Sequence, residues 1–230
     1  VVPDVFVKQT MIETYQKSTD LPETIPVFPL DGALLLPRSQ LPLNIFEPRY
    51  LQMIDTAMSS DRIIGMIQTD SAIPDEDPPA LCEIGCAGRI TSYAETPDQR
   101  ILITLTGISR FKIIAEVPSA AMFRTVAVDF GSFDDDLIAG LGEEDVDRDG
   151  LLTAFRSYLD ANDLQADWQE VTSVSNETLV NALSMMSPYQ ARDKQALLEA
   201  IDLKSRAEVL VALTTMAMAS HGAGEDGRLQ

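Results

Sequence analysis

Three aspartates on alternate positions, Asp145, Asp147 and Asp149, are followed by Gly150, the ligand and turn pattern that opens an EF-hand calcium loop. The twelfth position of such a loop must be a bidentate glutamate. Here it is Arg156, whose guanidinium repels the ion. The same aspartates suit the positive end of a helix that begins near Gly150, and we read them that way. Zinc is excluded by count, because a structural site takes four donors and the chain holds only Cys82, Cys86 and His221 as soft ligands. Both cysteines fall in one extended segment, about 13 Å apart at the strand rise. A disulfide needs Cα atoms within about 7 Å, so they are read as reduced, apolar packing groups. No metal and no cofactor is expected.

Nucleophilic and nucleotide chemistry lack their signatures: there is no GxxxxGK[ST] loop, no GxSxG elbow and no HExxH pair. A serine or cysteine nucleophile needs a base, and the single histidine sits in a predicted tail. With 36 acidic residues, some carboxylate pairs meet in any fold, so abundance makes each pair uninformative. The expectation is a chain that is not an enzyme. The alternative is a small-molecule hydrolase or ligand-binding enzyme, which would need a tight pair of buried acids with raised pKa in a cleft.

Binding residues are sought first in the segment 42–50, PLNIFEPRY. Glu47 and Arg49 flank a helix start at Pro48. Glu47 is placed to satisfy free backbone N–H groups, while Arg49 either pairs with it or points at a ligand. Phe46, Glu47, Arg49 and Tyr50 are therefore candidates. Met185 and Met186 join them, since unbranched thioethers repack against varied partners, although ordinary helix core explains them too.

Two periodicities must position these residues. Apolar alternation predicts strands at 25–30, 41–46, 63–68, 83–94, 101–114 and 124–129, with a bulge or corner at Gly107. One helix is inserted, opening at Pro48 with the stripe Tyr50, Leu51, Ile54, Ala57 and Met58. Beyond Gly150 the period becomes helical. Leu151, Leu152, Phe155, Tyr158 and Leu159 form one stripe; Leu179, Val180, Leu183 and Met186 form another. Helix starts are read at Ser187-Pro188-Tyr189-Gln190 and Ser205-Arg206-Ala207-Glu208. The fold class is α+β: a partly closed β-barrel with one inserted helix, then a C-terminal bundle of four helices. The predicted divisions are an N-terminal extension over 1–24, the barrel over 25–130, an acidic linker over 131–147, the bundle over 148–219 and a flexible tail over 220–230.

The chain's 230 residues, 45% of them apolar, suffice for one large domain or two subdomains with real cores. Seventeen basic residues against 36 acidic ones give a formal net charge of −19. That field, and the absence of any Lys/Arg cluster, argue against nucleic acid and anionic membranes as partners. No apolar run approaches the roughly 20 residues that span a bilayer, and the first residues lack the layout of a secretory signal. A cytoplasmic location is expected.

Several motifs in order carry a family resemblance. Ile25-Pro26-Val27-Phe28-Pro29-Leu30, then Leu36-Pro37, Leu41-Pro42-Leu43 and FEPRY come first. Glu83-Ile84-Gly85-Cys86, Gly88-Arg89-Ile90, the run from Ile103 to Gly107 and Arg110-Phe111 follow. Gln195 to Ala200 and Leu203 to Glu208 close the set. Over residues 25–219 the chain resembles the N-terminal, substrate-binding domain of Lon proteases. The resemblance implies a PUA-like β-barrel joined to a helical bundle, and a non-catalytic module that engages unfolded polypeptide or a partner protein in protein quality control. The ATPase and peptidase that follow this domain in Lon have no counterpart in the sequence, so neither activity is carried over. Adaptor to a separate protease is a further role it suggests.

Overall fold

The computed structural model describes residues 15–70, 78–162 and 164–225. Residues 1–14 and 226–230, within the predicted extension and tail, lie outside the described residues. Among the described residues apolar alternation yields six strands: β1 (Thr24–Pro29), β2 (Gln40–Ile45), β3 (Ile63–Ile67), β4 (Ile84–Glu95), β5 (Ile101–Glu116) and β6 (Arg124–Asp129). They form one sheet in the order β2-β5-β4-β3-β1-β6. β1 runs parallel to β3, and the other strand pairs are antiparallel. The far half of β5 also pairs with β6, through Lys112↔Asp129 and Ile113↔Val128. Hydrogen bonding therefore passes from β5 through β4, β3, β1 and β6 and returns to β5, while β2 lies outside on the near half of β5.

β5 serves both partners because it is one continuous strand of 16 residues. The bulge signalled by Gly107 is present as a register shift: Ala87 pairs with Ser109 and Gly88 with Gly107, which leaves Ile108 over. Close approach is what requires glycine here, since a Cβ at Gly107 would overlap the Leu36 carbonyl oxygen. The same backbone is bonded on both sides, from Arg38 N–H to the Gly107 carbonyl at 2.8 Å and from Gly107 N–H to the Ser39 carbonyl at 2.9 Å.

Strand parity sorts the apolar side chains into two buried clusters. Ile25, Val27, Ile63, Ile67, Phe111 and Val126 gather within the ring of strands. Ile64, Met66, Cys86, Ile103 and Leu105 point the other way. They share a larger cluster with Met53 and Ile54 of α1 (Pro48–Met58) and with Leu151, Val180, Leu197 and Leu210 of the helical half. β3 is consequently buried on both faces, and that is why it reads as an unbroken apolar run.

The helical half contains α2 (Arg148–Ala161), α3 (Trp168–Ser173), α4 (Asn176–Met186), α5 (Ala191–Glu199) and α6 (Leu203–Glu225). Among the described residues five helices thus stand in this half where four were expected. α3 is six residues long, too short for a legible stripe, and Trp168 lies 4.4 Å from the Arg156 guanidinium. Two predicted starts move. α5 opens after Gln190, because Ser187 closes α4 instead. α6 opens after Asp202, whose carboxylate accepts the Ser205 N–H at 2.7 Å, so the cap lies three residues before the predicted one. α6 also continues to Glu225, over part of the predicted tail. Asp147 accepts the Gly150 N–H at 2.9 Å, the helix-start role read for the acidic triplet. The predicted acidic linker is itself folded, with 3-10 turns at Gly131–Leu137 and Glu143–Asp145. No helix among the described residues is long and apolar enough to cross a membrane.

Candidate functional site

Charged side chains fasten the helices to the sheet, and they mark the seam where a site can form. Arg110 on β5 is only 4% exposed. Its guanidinium holds both Asp136 carboxylate oxygens, at 2.9 and 2.8 Å, and its backbone N–H donates to the same carboxylate at 2.8 Å. Its remaining donors reach the Leu198 carbonyl in the last turn of α5 and the Ala200 carbonyl just beyond it. The Phe133 ring lies 4.7 Å from the guanidinium. One residue thereby ties together a strand, the acidic segment and the end of α5 with the turn that follows it.

Arg38 makes a second tie. Its φ of 63° is left-handed, which costs a non-glycine residue roughly 1 kcal/mol. The side chain then reaches Glu177 on α4, Nε to Oε1 at 2.8 Å, and also the Asp136 carbonyl. Asn181, one turn along α4, donates to the Pro37 carbonyl at 3.2 Å. The ion pair is partly solvated and contributes about 1 kcal/mol at most after screening. Arg38→Gly removes it but relieves a strain of similar size. Urea unfolding should therefore show a net stability change within about 1 kcal/mol; a loss of several kcal/mol would show that Arg38 does more than bridge.

The Arg38–Glu177 pair stands on the wall common to two clefts. One, of about 350 Å³, is lined by Pro37, Gln40, Asn181, Met185 and Met186. The other, of about 270 Å³, is lined by Arg110, Ile138, Leu141, Ile201 and Arg206. Large apolar side chains in water collect here: Met186 is 82% exposed and Ile201 81%, with Ile138 and Leu141 also exposed. Arg206 is buried. Its Nε donates to the Leu197 carbonyl at 3.0 Å and its Nη1 to Asn181 Oδ1 at 3.3 Å. Among the described residues, its Nη2 is the one buried side-chain nitrogen or oxygen without a partner. Burial first, and then the charge of Arg110, draw the Arg206 pKa down to about 10.

The structure divides the predicted site residues between two places. Met185 and Met186 line the first cleft. Phe46, Glu47, Arg49 and Tyr50 lie at the far end of β2 from Gln40, about 20 Å away at the strand rise. Glu47 makes no cap bond to the helix, contrary to expectation; it pairs with Arg49 at 2.9 Å, because the two side chains meet across Pro48. The Arg49 guanidinium lies 4.5 Å from the Tyr50 ring. Tyr50 is buried, its ring 4.2 Å from that of Phe28. Phe46 is 59% exposed, with the Arg100 guanidinium 5.7 Å away.

Both thiols are free. Burial pushes Cys86 far above the usual thiol range, and burial followed by the Asp70 carboxylate raises Cys82 to about 11. Among the described residues no group of three or more His, Cys, Asp or Glu is placed to hold a metal ion. Asp136 is the one buried carboxylate among the described residues, and it faces Arg110 rather than a second acid. Arg38, Glu177 and Arg206 were missed as site residues. The available signal was Ile138 and Leu141, two isolated apolar residues in an acidic stretch with no stripe to belong to.

The family model described as the ATP-dependent protease La (LON) substrate-binding domain matches residues 24–215. A Lon protease of Dictyoglomus thermophilum is 24% identical over 202 residues, covering 83% of this chain and 24% of that protein. A Lon protease of Buchnera aphidicola is 26% identical over 200 residues, with the same two shares of 83% and 24%. The chain spans about a quarter of the length of these curated relatives. Among solved structures, a Lon N-terminal domain protein from Xanthomonas campestris matches with a TM-score of 0.58 at 18% identity, over 82% of this chain and 97% of that one. The N-terminal domain of Mycobacterium avium complex Lon protease matches with 0.61 at 16% identity, over 84% and 98%. These two likenesses concern the fold.

Proposed function

We propose, from the premise that the chain belongs to the Lon substrate-binding domain family, that it binds non-native polypeptide or a partner protein in the seam between sheet and helices. The observation that carries this is the clustering of exposed Met186, Ile138, Leu141 and Ile201 around two adjoining clefts. Soluble proteins rarely leave such side chains together in water unless something covers them. Unfolded chains present the apolar segments that would do so, at about 25 cal/mol per Å² covered. Methionine suits a site that must accept many sequences. Phe46, with Glu47 and Arg49 fixing its turn and Tyr50 anchoring the helix beneath, provides a second contact for longer segments. We read the ring of strands as a PUA-like barrel, and the role as delivery of captured cytoplasmic polypeptide to a protease, attached or separate. The hydrolase alternative is not favoured, since Asp136 is neutralised by Arg110.

The test is fluorescence anisotropy with a dye-labelled peptide rich in leucine and phenylalanine. Met186→Asp places a charge in the cleft and should weaken binding about tenfold or more, with thermal stability unchanged because the side chain is exposed. Equal affinity of the two proteins would move the site elsewhere. Failure of the wild-type chain to bind any unfolded polypeptide would end the recognition reading.

A further inference from the structure

The second cleft contains more than an apolar rim. Two of its ion pairs cancel internally, Arg38 with Glu177 and Arg110 with Asp136, and Asp202 is engaged as the cap of α6. Asp135, Glu144 and Asp145 also line it. All three are exposed, and the structure gives their carboxylates no partner among the described residues. Among the described residues, the exposed cation of the lining that stands outside those pairs is Lys204. Arg206 also lines the cleft, with a buried Nη2 donor that no acceptor among the described residues meets. An unmet buried donor is expensive, so an acceptor oxygen belongs near it.

No simple ligand satisfies these three features together. A lone cation would answer the carboxylates but leave Ile138, Leu141 and Ile201 in water. A purely apolar ligand would cover those side chains and leave the Arg206 donor unmet. An anion would answer Arg206 but enter a cleft whose lining carries six carboxylates against four cations, in a chain of net charge −19. Resting on the recognition reading above, we infer that this cleft selects polypeptide segments in which an apolar stretch adjoins lysine or arginine. The apolar side chains lie on Ile138, Leu141 and Ile201, a main-chain carbonyl turns toward Arg206, and the basic side chain meets Asp135, Glu144 and Asp145. Charge complementarity thus sets a preference among apolar segments that the first cleft does not distinguish.

Three labelled peptides test this, sharing one apolar core and ending in two lysines, two serines or two glutamates. Their affinities are measured by anisotropy against the wild-type chain and two triple variants. One neutralises the cleft (Asp135→Asn, Glu144→Gln, Asp145→Asn). The other neutralises exposed carboxylates away from it (Asp55→Asn, Asp61→Asn, Asp160→Asn). At about 50 mM salt the lysine peptide should bind about tenfold more tightly than the serine peptide, and the glutamate peptide more weakly still. At about 500 mM the preference should largely vanish. The cleft variant should lose the preference while the remote variant keeps it. Equal loss in both variants would assign the effect to the overall negative field and overturn the inference. Equal binding of lysine and serine peptides, still weakened by Met186→Asp, would overturn it while leaving the recognition reading intact. Binding of none of the three would remove both.

Discussion

Asp136→Ala is expected to destabilise the protein by about 3–5 kcal/mol, measured as the shift in urea unfolding free energy. The loss comes less from the pair's own attraction than from what remains behind. Asp136 accepts three hydrogen bonds from Arg110, one from the backbone and two from the guanidinium, and both side chains are nearly out of solvent. Removing the carboxylate leaves a buried guanidinium with the Leu198, Ala200 and Ile201 carbonyls and the Phe133 ring, but without its counter-charge. It also leaves that charge beside Arg206, whose pKa is already lowered in part by Arg110. The double variant Arg110→Met, Asp136→Leu should recover part of the loss, because the unpaired buried charge is gone, while the backbone N–H of residue 110 and the Leu198 and Ala200 carbonyls still lose their partners. Hydrogen exchange should then separate the two roles. In the single variant the turn between α5 and α6 should lose protection first, since the Arg110 contacts to it depend on the arginine's position. A single-variant loss below about 1 kcal/mol would mean that water reaches Arg110 more freely than its burial indicates.

That pair also shows where reading the sequence stops. The strands were legible because alternation records which side chains face the core, and α1 because Pro48 and its stripe lie within a few residues. The first family motifs were legible because they sit on those same elements, and the last two because they lie on α5 and α6. Arg110 and Asp136 are 26 residues apart, and nothing local marks either as buried. Asp136 belongs to a run of three aspartates that composition alone assigns to water, and only the path of the chain past β5 draws one of them inside. The α6 cap failed for a narrower reason. Ser205 and Glu208 match a capping box, but Asp202 offers an equally good acceptor three residues earlier. Half of the candidate site was visible in the same partial way. Met185 and Met186 were chosen for their side-chain chemistry, and the structure puts them in a cleft. Arg38 and Arg206 matter through their partners, which no linear pattern pairs with them.

Gly107→Ala is expected to cost about 3 kcal/mol, the upper part of the range for an added core methyl, because the obstacle is backbone. A Cβ there would overlap the Leu36 carbonyl oxygen, and Pro37 Cα lies within 3.3 Å. A flexible side chain would swing away from such a clash, but residues 36–39 are held to Gly107 by hydrogen bonds on both sides. The segment must shift as a unit, and Arg38 shifts with it. The Arg38–Glu177 pair and the Asn181 bond to the Pro37 carbonyl are then strained together, and these form the wall between the two clefts. Gly107→Ala should accordingly lower both urea stability and affinity for the apolar peptide. Gly32→Ala is the matched control. Its φ of +76° penalises any side chain, yet nothing lies within 4 Å of its Cβ position. It should therefore cost about 1 kcal/mol and leave peptide affinity unchanged. If the two substitutions prove equally mild, residues 36–39 yield freely, and the cleft wall is not held by the sheet at all.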